Sequence, residues 1–323
     1  MPSARPRLLV TRRLPESVEA QMRAEFDTEI NAGPPLDRAR LAEALKGCDA
    51  LACTVGDPLD AEMLAAAGER LKLLANFGVG VDHIDLAAAR ARGILVSNTP
   101  DVITDDTADV ALALILGTLR GLSSGERMLR AGGWGGWGPT RQMGRSLTGK
   151  TLGIVGMGRI GLAVAVRARA CGMRIHYHNR TRVAAETERA LAADYREDLD
   201  ALLAEADVVS LNCPYSRETH HLIDARRLGL MRRDGFLINT ARGAIVDQEA
   251  LIAALEQGTI AGAGLDVYPN EPHVDPRLIA RDDVMLLPHL GSATVETRIA
   301  MGEKVLANLR AWARGEELPD RVA

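Results

Sequence analysis

The sequence has 323 residues, 47 % apolar and 25 % charged, which is the usage of an ordinary globular chain and excludes a disordered, collagenous or disulfide-stapled one. Lys and Arg number 39 and Asp and Glu 43, for a formal charge of -4, so nothing favours wrapping nucleic acid or lying on an acidic membrane. With three Trp, four Tyr and three Phe, a stacking platform for bases has little to work with.

The N-terminal stretch MPSARPRLLVTRRLP has basic residues but no sustained apolar run, so no secretory signal is expected and the chain reads as cytoplasmic. Within it Arg7 to Thr11 is a predicted buried strand. Further strands are predicted at Ala50 to Thr54, Leu71 to Ala75 and Ile94 to Ser97, with helical character over Leu41 to Leu45, Ala61 to Ala67 and Leu86 to Arg92. Short, fully apolar strands separated by helices indicate parallel βα units covered on both faces. Pro100 interrupts the pattern. A long helix follows from Asp105 to about Leu119; its apolar run carries Asp109 and is too short to span a bilayer. Residues 131 to 140, AGGWGGWGPT, are loop.

A second series begins at Lys150, with six predicted strands: Thr151 to Val155, Arg174 to His178, Val208 to Asn212, Gly235 to Asn239, Gly262 to Asp266 and Val284 to Leu287. Helices are predicted over 159–171, 199–205, 224–231 and 247–256, and a last one over 293–314 that can fold back onto the first series. The pattern is α/β, with a doubly wound parallel sheet in the second series. It divides into a smaller domain over 1–100, a larger one over 101–290 and a returning C-terminal segment over 291–323. The cysteines at 48, 53, 171 and 213 are scattered. Cys48 and Cys53 have no matching Cys or His pair at zinc-site spacing, so free thiols and no metal are expected.

Residues 152–161, LGIVGMGRIG, carry Gly156, Gly158 and Gly161 at G-x-G-x-x-G spacing between an apolar strand and a helix, the context a dinucleotide site requires. Gly156 permits the tight turn, Gly158 lets backbone approach a pyrophosphate, and Gly161 lets the helix pack on the strand. Arg159 and Ile160 open that helix, whose free N–H groups would face the phosphates. An NAD-selective site puts an acid at the end of the second strand. Here the chain reads Asn179, Arg180, Thr181, Arg182, where guanidinium groups can clasp a 2′-phosphate, so NADP(H) is favoured with NAD(H) still usable. The bland reading of the two arginines is a solvated surface pair.

Three ionisable residues follow strands at one sheet edge: Arg242 after INTA, Glu271 after GLDVYPN and His289 after MLLP. An arginine fits a carboxylate, a histidine near neutrality exchanges a proton, and a neighbouring carboxylate keeps that histidine charged.

The stretches NFGVGVDHID (76–85), GILVSNTPDV (93–102), TADVALALIL (107–116), GKTLGIVGMGRIG (149–161), LNCP (211–214), INTARGAIVD (238–247), AGAGLDVYPNEP (261–272) and LPHLGSAT (287–294) together resemble the D-isomer-specific 2-hydroxyacid dehydrogenase family nearly end to end. The loop bearing Trp134 and Trp137 and the stretch NTPDVITDDTAD look most like its glyoxylate/hydroxypyruvate reductases. The resemblance implies two Rossmann-like domains, the smaller a flavodoxin-like substrate domain, and NAD(P)-dependent reduction of small 2-oxo acids to D-2-hydroxy acids. It makes His289 the general acid, Glu271 its partner and Arg242 the residue gripping the 2-oxo acid. Backbone at Val79 and Gly80 is implied to bind the substrate carboxylate, with Ser292 nearby. Thr107, Cys213, Pro214, Thr219, Thr240, Ala241, Asp266, His289 and Gly291 match cofactor-lining positions, Asp266 accepting from the nicotinamide carboxamide. A homodimer is implied, with Trp134 or Trp137 available to a partner's active site. Rivals are a relative acting on bulkier 2-oxo acids or phosphite, and a corepressor-like NAD(P) sensor. Formate oxidation is disfavoured because Glu271 stands where that branch has Gln.

Overall fold

The computed structural model describes residues 5–323. The first four residues, part of the N-terminal stretch read above, lie outside them. The chain forms two compact units, Met1–Ile103 with Ala293–Ala323, and Thr104–Ser292.

The first unit is built on five parallel strands, β1 (Arg7–Val10), β2 (Asp27–Ile30), β3 (Ala50–Thr54), β4 (Leu73–Phe77) and β5 (Leu95–Ser97), in the order β2-β1-β3-β4-β5. This is the flavodoxin-like order. β3 and β4 are buried almost throughout because helices cover both faces. β2 was not expected: its sequence DTEI alternates exposed and half-buried at the sheet edge and has no apolar run to betray it. The Val295–Ala313 helix belongs to this unit. Its Met301, Val305, Leu306 and Leu309 pack with Leu8, Val10, Leu73 and Ala75. Gly302 sits where a Cβ would come within 2.5 Å of Val18, so the helix Glu16–Glu25 can approach closely.

The second unit holds seven parallel strands rather than the expected six: β6 (Thr151–Val155), β7 (Arg174–His178), β8 (Ala193–Tyr195), β9 (Val208–Leu211), β10 (Phe236–Asn239), β11 (Gly262–Leu265) and β12 (Val284–Leu286). The additional strand is β8, three residues at the edge. The order is β12-β11-β10-β9-β6-β7-β8, so successive crossovers run outward in opposite directions from β6 and β9. That reversal opens a crevice beyond the carboxyl ends of those two strands, where ligands of doubly wound sheets bind. The Thr104–Arg120 helix is packed into this unit by Ala108, Ala111, Leu114 and Ile115. Among the described residues no single helix is long and apolar enough to cross a membrane.

Candidate active site

The glycine turn lies at the β6/β9 reversal. Gly156 has φ +97°, and a Cβ on it would lie 2.5 Å from the backbone nitrogen of Cys213 beyond β9. Only glycine meets both demands. At Gly161 a Cβ would lie 2.2 Å from the Gly156 carbonyl oxygen, which lets the Arg159–Ala170 helix press against the turn. Gly158 differs: a Cβ there meets nothing within 4 Å. Gly158 is also the N-cap of that helix and brings no side-chain cap, so no capping side chain competes with an anion for the helix start. The cradle therefore fits a dinucleotide pyrophosphate. Two buried polar atoms at neighbouring strand ends, Oδ1 of Asn212 and Oγ1 of Thr240, have no hydrogen-bond partner among the described residues, as suits groups that meet a polar ligand.

Past β7 the geometry amends the sequence reading. Asn179 accepts the Met157 N–H through Oδ1 at 2.6 Å, so its carbonyl oxygen pins the glycine turn. Arg182 does not present its full fork to a phosphate: its Nε and Nη2 lie 2.7 and 2.8 Å from the two oxygens of Glu188. Tyr177 donates to the same carboxylate at 2.5 Å, and these two bonds hold the Glu188 carboxyl down at about 2. Arg180 and Thr181 are exposed, and Arg180 forms no ion pair among the described residues. Thr219 closes its own turn, donating to the Pro214 carbonyl at 2.9 Å and accepting the Ser216 N–H at 2.7 Å. Cys213 is half-buried, and burial pushes its thiol up to about 11. All four cysteines are free.

Arg242, Glu271 and His289 come together beyond β10, β11 and β12. Asn239 at the end of β10 is 1 % exposed; it accepts the Ala241 N–H at 3.0 Å and donates to the Arg242 carbonyl at 2.9 Å, so it sets the Thr240–Arg242 turn. A Cβ on Gly243 would lie 2.0 Å from the Tyr268 backbone, and this close approach joins the Arg242 loop to the loop carrying Glu271. Tyr268 donates to the Leu287 carbonyl at 2.9 Å, tying that loop to β12.

Glu271 accepts the Tyr268 N–H through Oε1 at 3.0 Å and contacts Nδ1 of His289 through Oε2 at 2.7 Å. Burial pushes the Glu271 carboxyl up, but the hydrogen bond and charge of His289, the Tyr268 N–H and the Arg242 charge outweigh it and hold the group below its ordinary value. His289 has φ +55°, an uncommon conformation for a non-glycine residue. Asp266 holds it there: its oxygens accept the N–H groups of Leu290 and Gly291 at 2.6 and 2.9 Å, and its carbonyl accepts the His289 N–H. Asp266 is 1 % exposed, so its plain structural task is to set the histidine turn, which the sequence reading did not foresee. Thr107, also buried, donates to the Gly291 carbonyl at 2.9 Å and secures the same turn; its hydroxyl hydrogen is thereby committed. Ser292 follows as the last residue of this unit.

Val79 and Gly80 belong to the first unit and follow β4. Trp134 and Trp137 lie in the loop of the second unit and are 54 % and 86 % exposed.

Residues 112–291 match the family model for the NAD-binding domain of D-isomer-specific 2-hydroxyacid dehydrogenases. The chain is 44 % identical to a glyoxylate reductase of Thermococcus litoralis, over 98 % of this chain and 97 % of that protein. Among solved structures it is similar to a Thermus thermophilus protein, with 45 % identity and a TM-score of 0.91 over 98 % of this chain and 100 % of that one. It is also similar to the NADPH-dependent glyoxylate/hydroxypyruvate reductase of Sinorhizobium meliloti in complex with NADP and malonate, with 39 % identity and a TM-score of 0.88 over 99 % and 97 % of the two chains.

Proposed function

The chain belongs to the D-isomer-specific 2-hydroxyacid dehydrogenase family, and on that premise we propose that it reduces glyoxylate and hydroxypyruvate, with NADPH preferred over NADH, to D-2-hydroxy acids. The observation that carries the reading is the 2.7 Å contact between Nδ1 of His289 and Glu271. Carbonyl reduction needs a proton delivered to oxygen as negative charge develops there. A carboxylate bound at Nδ1 orients the ring and leaves Nε2 to hold the proton for the substrate oxygen. Arg242 grips the 2-oxo acid, its guanidinium stabilising charge on the same oxygen. Backbone N–H groups of Val79 and Gly80 receive the substrate carboxylate. Bound nicotinamide supplies the hydride. Positive charge comes from His289 and Arg242, so the reading calls on no metal ion.

Arg180, with the remaining edge of Arg182, is the part of this reading that favours a 2′-phosphate. A homodimer is the other part. Leu122, Leu129, Trp134 and Met143 are exposed apolar residues lining a cleft of about 680 Å³. The Leu122–Arg130 helix has no buried residue, and an apolar patch of this kind suits a second subunit. Trp134 or Trp137 is then available to the partner's substrate pocket, limiting it to small acids.

The test is a set of initial rates with glyoxylate and hydroxypyruvate crossed against NADPH and NADH. Turnover of either acid, at least about tenfold better in kcat/KM with NADPH, is expected. Equal use of NADH removes the 2′-phosphate argument. No turnover of either acid removes the substrate assignment.

A further inference from the structure

We infer that Asn76 and Asn98 are positioning residues that build the anion-receiving turn of the first unit. The inference rests on the carboxylate role proposed above for Val79 and Gly80. Asn76, on β4, is fully buried, and its Nδ2 donates to the carbonyls of Gly78 at 3.0 Å and Gly80 at 2.9 Å. Asn98, just beyond β5, donates to the Val79 carbonyl at 2.8 Å, and the Thr99 N–H reaches the Gly78 carbonyl at 3.1 Å. Every carbonyl of the turn Gly78–Gly80 is therefore drawn to a protein donor.

In a trans peptide the N–H points opposite to the carbonyl of the same peptide unit. Fixing the Gly78 carbonyl thus aims the Val79 N–H the other way, and fixing the Val79 carbonyl does the same for the Gly80 N–H. Neither N–H donates to any group among the described residues, and both residues are partly exposed. Two adjacent free N–H groups with their carbonyls held back form an anion-binding nest. Amide side chains suit the task because they donate without bringing negative charge, as an aspartate would.

A cation stands by. The guanidinium of Arg298 lies 5.8 Å from the ring centroid of Phe77, the residue before Gly78. It is half-buried in the first turn of the Val295–Ala313 helix, where the helix dipole disfavours a cation, and has no counter-ion among the described residues. Burial accordingly lowers its affinity for its proton. Its field favours an anion at the turn.

The test uses the NADPH-loaded enzyme, with Asn98→Ala and Asn98→Asp as the main variants and Asn76→Ser as a second site. The readouts are KM and kcat for glyoxylate and, independently of turnover, the calorimetric Kd for oxalate. A carboxylate contact away from the reacting carbon is made equally in ground and transition states, so its loss raises KM and spares kcat. Asn98→Ala is expected to raise KM and the oxalate Kd together by about tenfold or more, with kcat within about threefold and NADPH affinity unchanged. Asn98→Asp is expected to be worse than Asn98→Ala. Unchanged KM and oxalate affinity in Asn98→Ala overturn the inference, as does a joint fall of kcat and NADPH affinity, or a wild type that binds no oxalate. A wild type that binds oxalate through Asn98 but reduces neither acid keeps the inference and overturns the functional reading.

Discussion

Nδ1 of His289 and Oε2 of Glu271 are 2.7 Å apart, and the other oxygen of that carboxylate is already committed to the Tyr268 N–H. The pair is thus held from both sides, through Glu271 by the Tyr268 loop and through the backbone of His289 by Asp266. The Glu271 carboxyl sits below its ordinary 4.5, so it remains ionised across the neutral range and loses its charge only as pH falls below that value. The carboxylate therefore does not set either limb of a pH profile taken above about pH 5. Glu271→Gln keeps the shape and removes the charge. Reductive kcat is expected to fall by about tenfold or more. His289→Asn is expected to lose about 10²–10⁴ in kcat. Stopped-flow rates across pH 5–10, with NADPH affinity as the control, check both.

Arg180 and Arg182 are adjacent in pattern but differ in employment, and this difference is measurable. Both are exposed, but Arg182 belongs to a cluster with Glu188 and Tyr177, whereas Arg180 forms no ion pair among the described residues. Arg180→Gln is expected to raise KM for NADPH by about tenfold while leaving NADH nearly unchanged. Arg182→Gln leaves Glu188 and Tyr177 without their cation, so it is expected to lower Tm more than Arg180→Gln does. The Glu188 carboxyl is held down at about 2 by Arg182 and Tyr177. The stabilisation is present above pH 4.5, diminishes as pH falls from there towards 2, and the Tm gap between wild type and Arg182→Gln closes along the same range. A gap that stays constant with pH would sink this account.

The contrast shows where sequence stops being legible. Central strands such as β6 and β9 announce themselves because both faces are covered, every residue is buried and most are apolar. The glycine spacing does so because Gly156 and Gly161 answer backbone requirements that no other residue meets. The sequence points to Asn179 and Asp266 as ligand residues and does not single out Asn239, yet each uses its side chain to bind backbone far along the chain or around a turn. No periodicity encodes such a bond. The edge strands β2 and β8 escaped for a related reason: they are short, and their pairing comes from the neighbouring strand rather than from their own composition.

Gly158 and Gly161 separate cofactor contact from packing. In Gly161→Ala the new methyl meets the Gly156 carbonyl 2.2 Å away, so the Arg159–Ala170 helix must move and both Tm and NADPH affinity are expected to fall. In Gly158→Ala the methyl meets no protein atom within 4 Å. Tm should stay within about 2 °C while NADPH Kd rises by about tenfold, because the methyl enters the side that the phosphates approach. Thermal melts paired with fluorescence titration of NADPH distinguish the two. Equal losses of Tm in both variants would refute the division of labour.

The exposed apolar residues after the Thr104–Arg120 helix bear on assembly. Leu129 is 61 % exposed on a helix with no buried residue, an arrangement that leaves apolar surface in water unless a second subunit covers it. The wild type is expected to sediment as a dimer. Leu129→Glu places a charge in an apolar contact, which costs free energy whether or not the fold changes. It is expected to shift the sedimentation coefficient towards that of a monomer while circular dichroism stays the same. Trp137→Ser, in the neighbouring loop, separates assembly from substrate selection. If that side chain reaches a partner's substrate pocket, the variant remains dimeric and gains activity on bulkier 2-oxo acids relative to glyoxylate. A dimer with unchanged acid preference would remove Trp137 from the pocket and leave Trp134 as the residue to test.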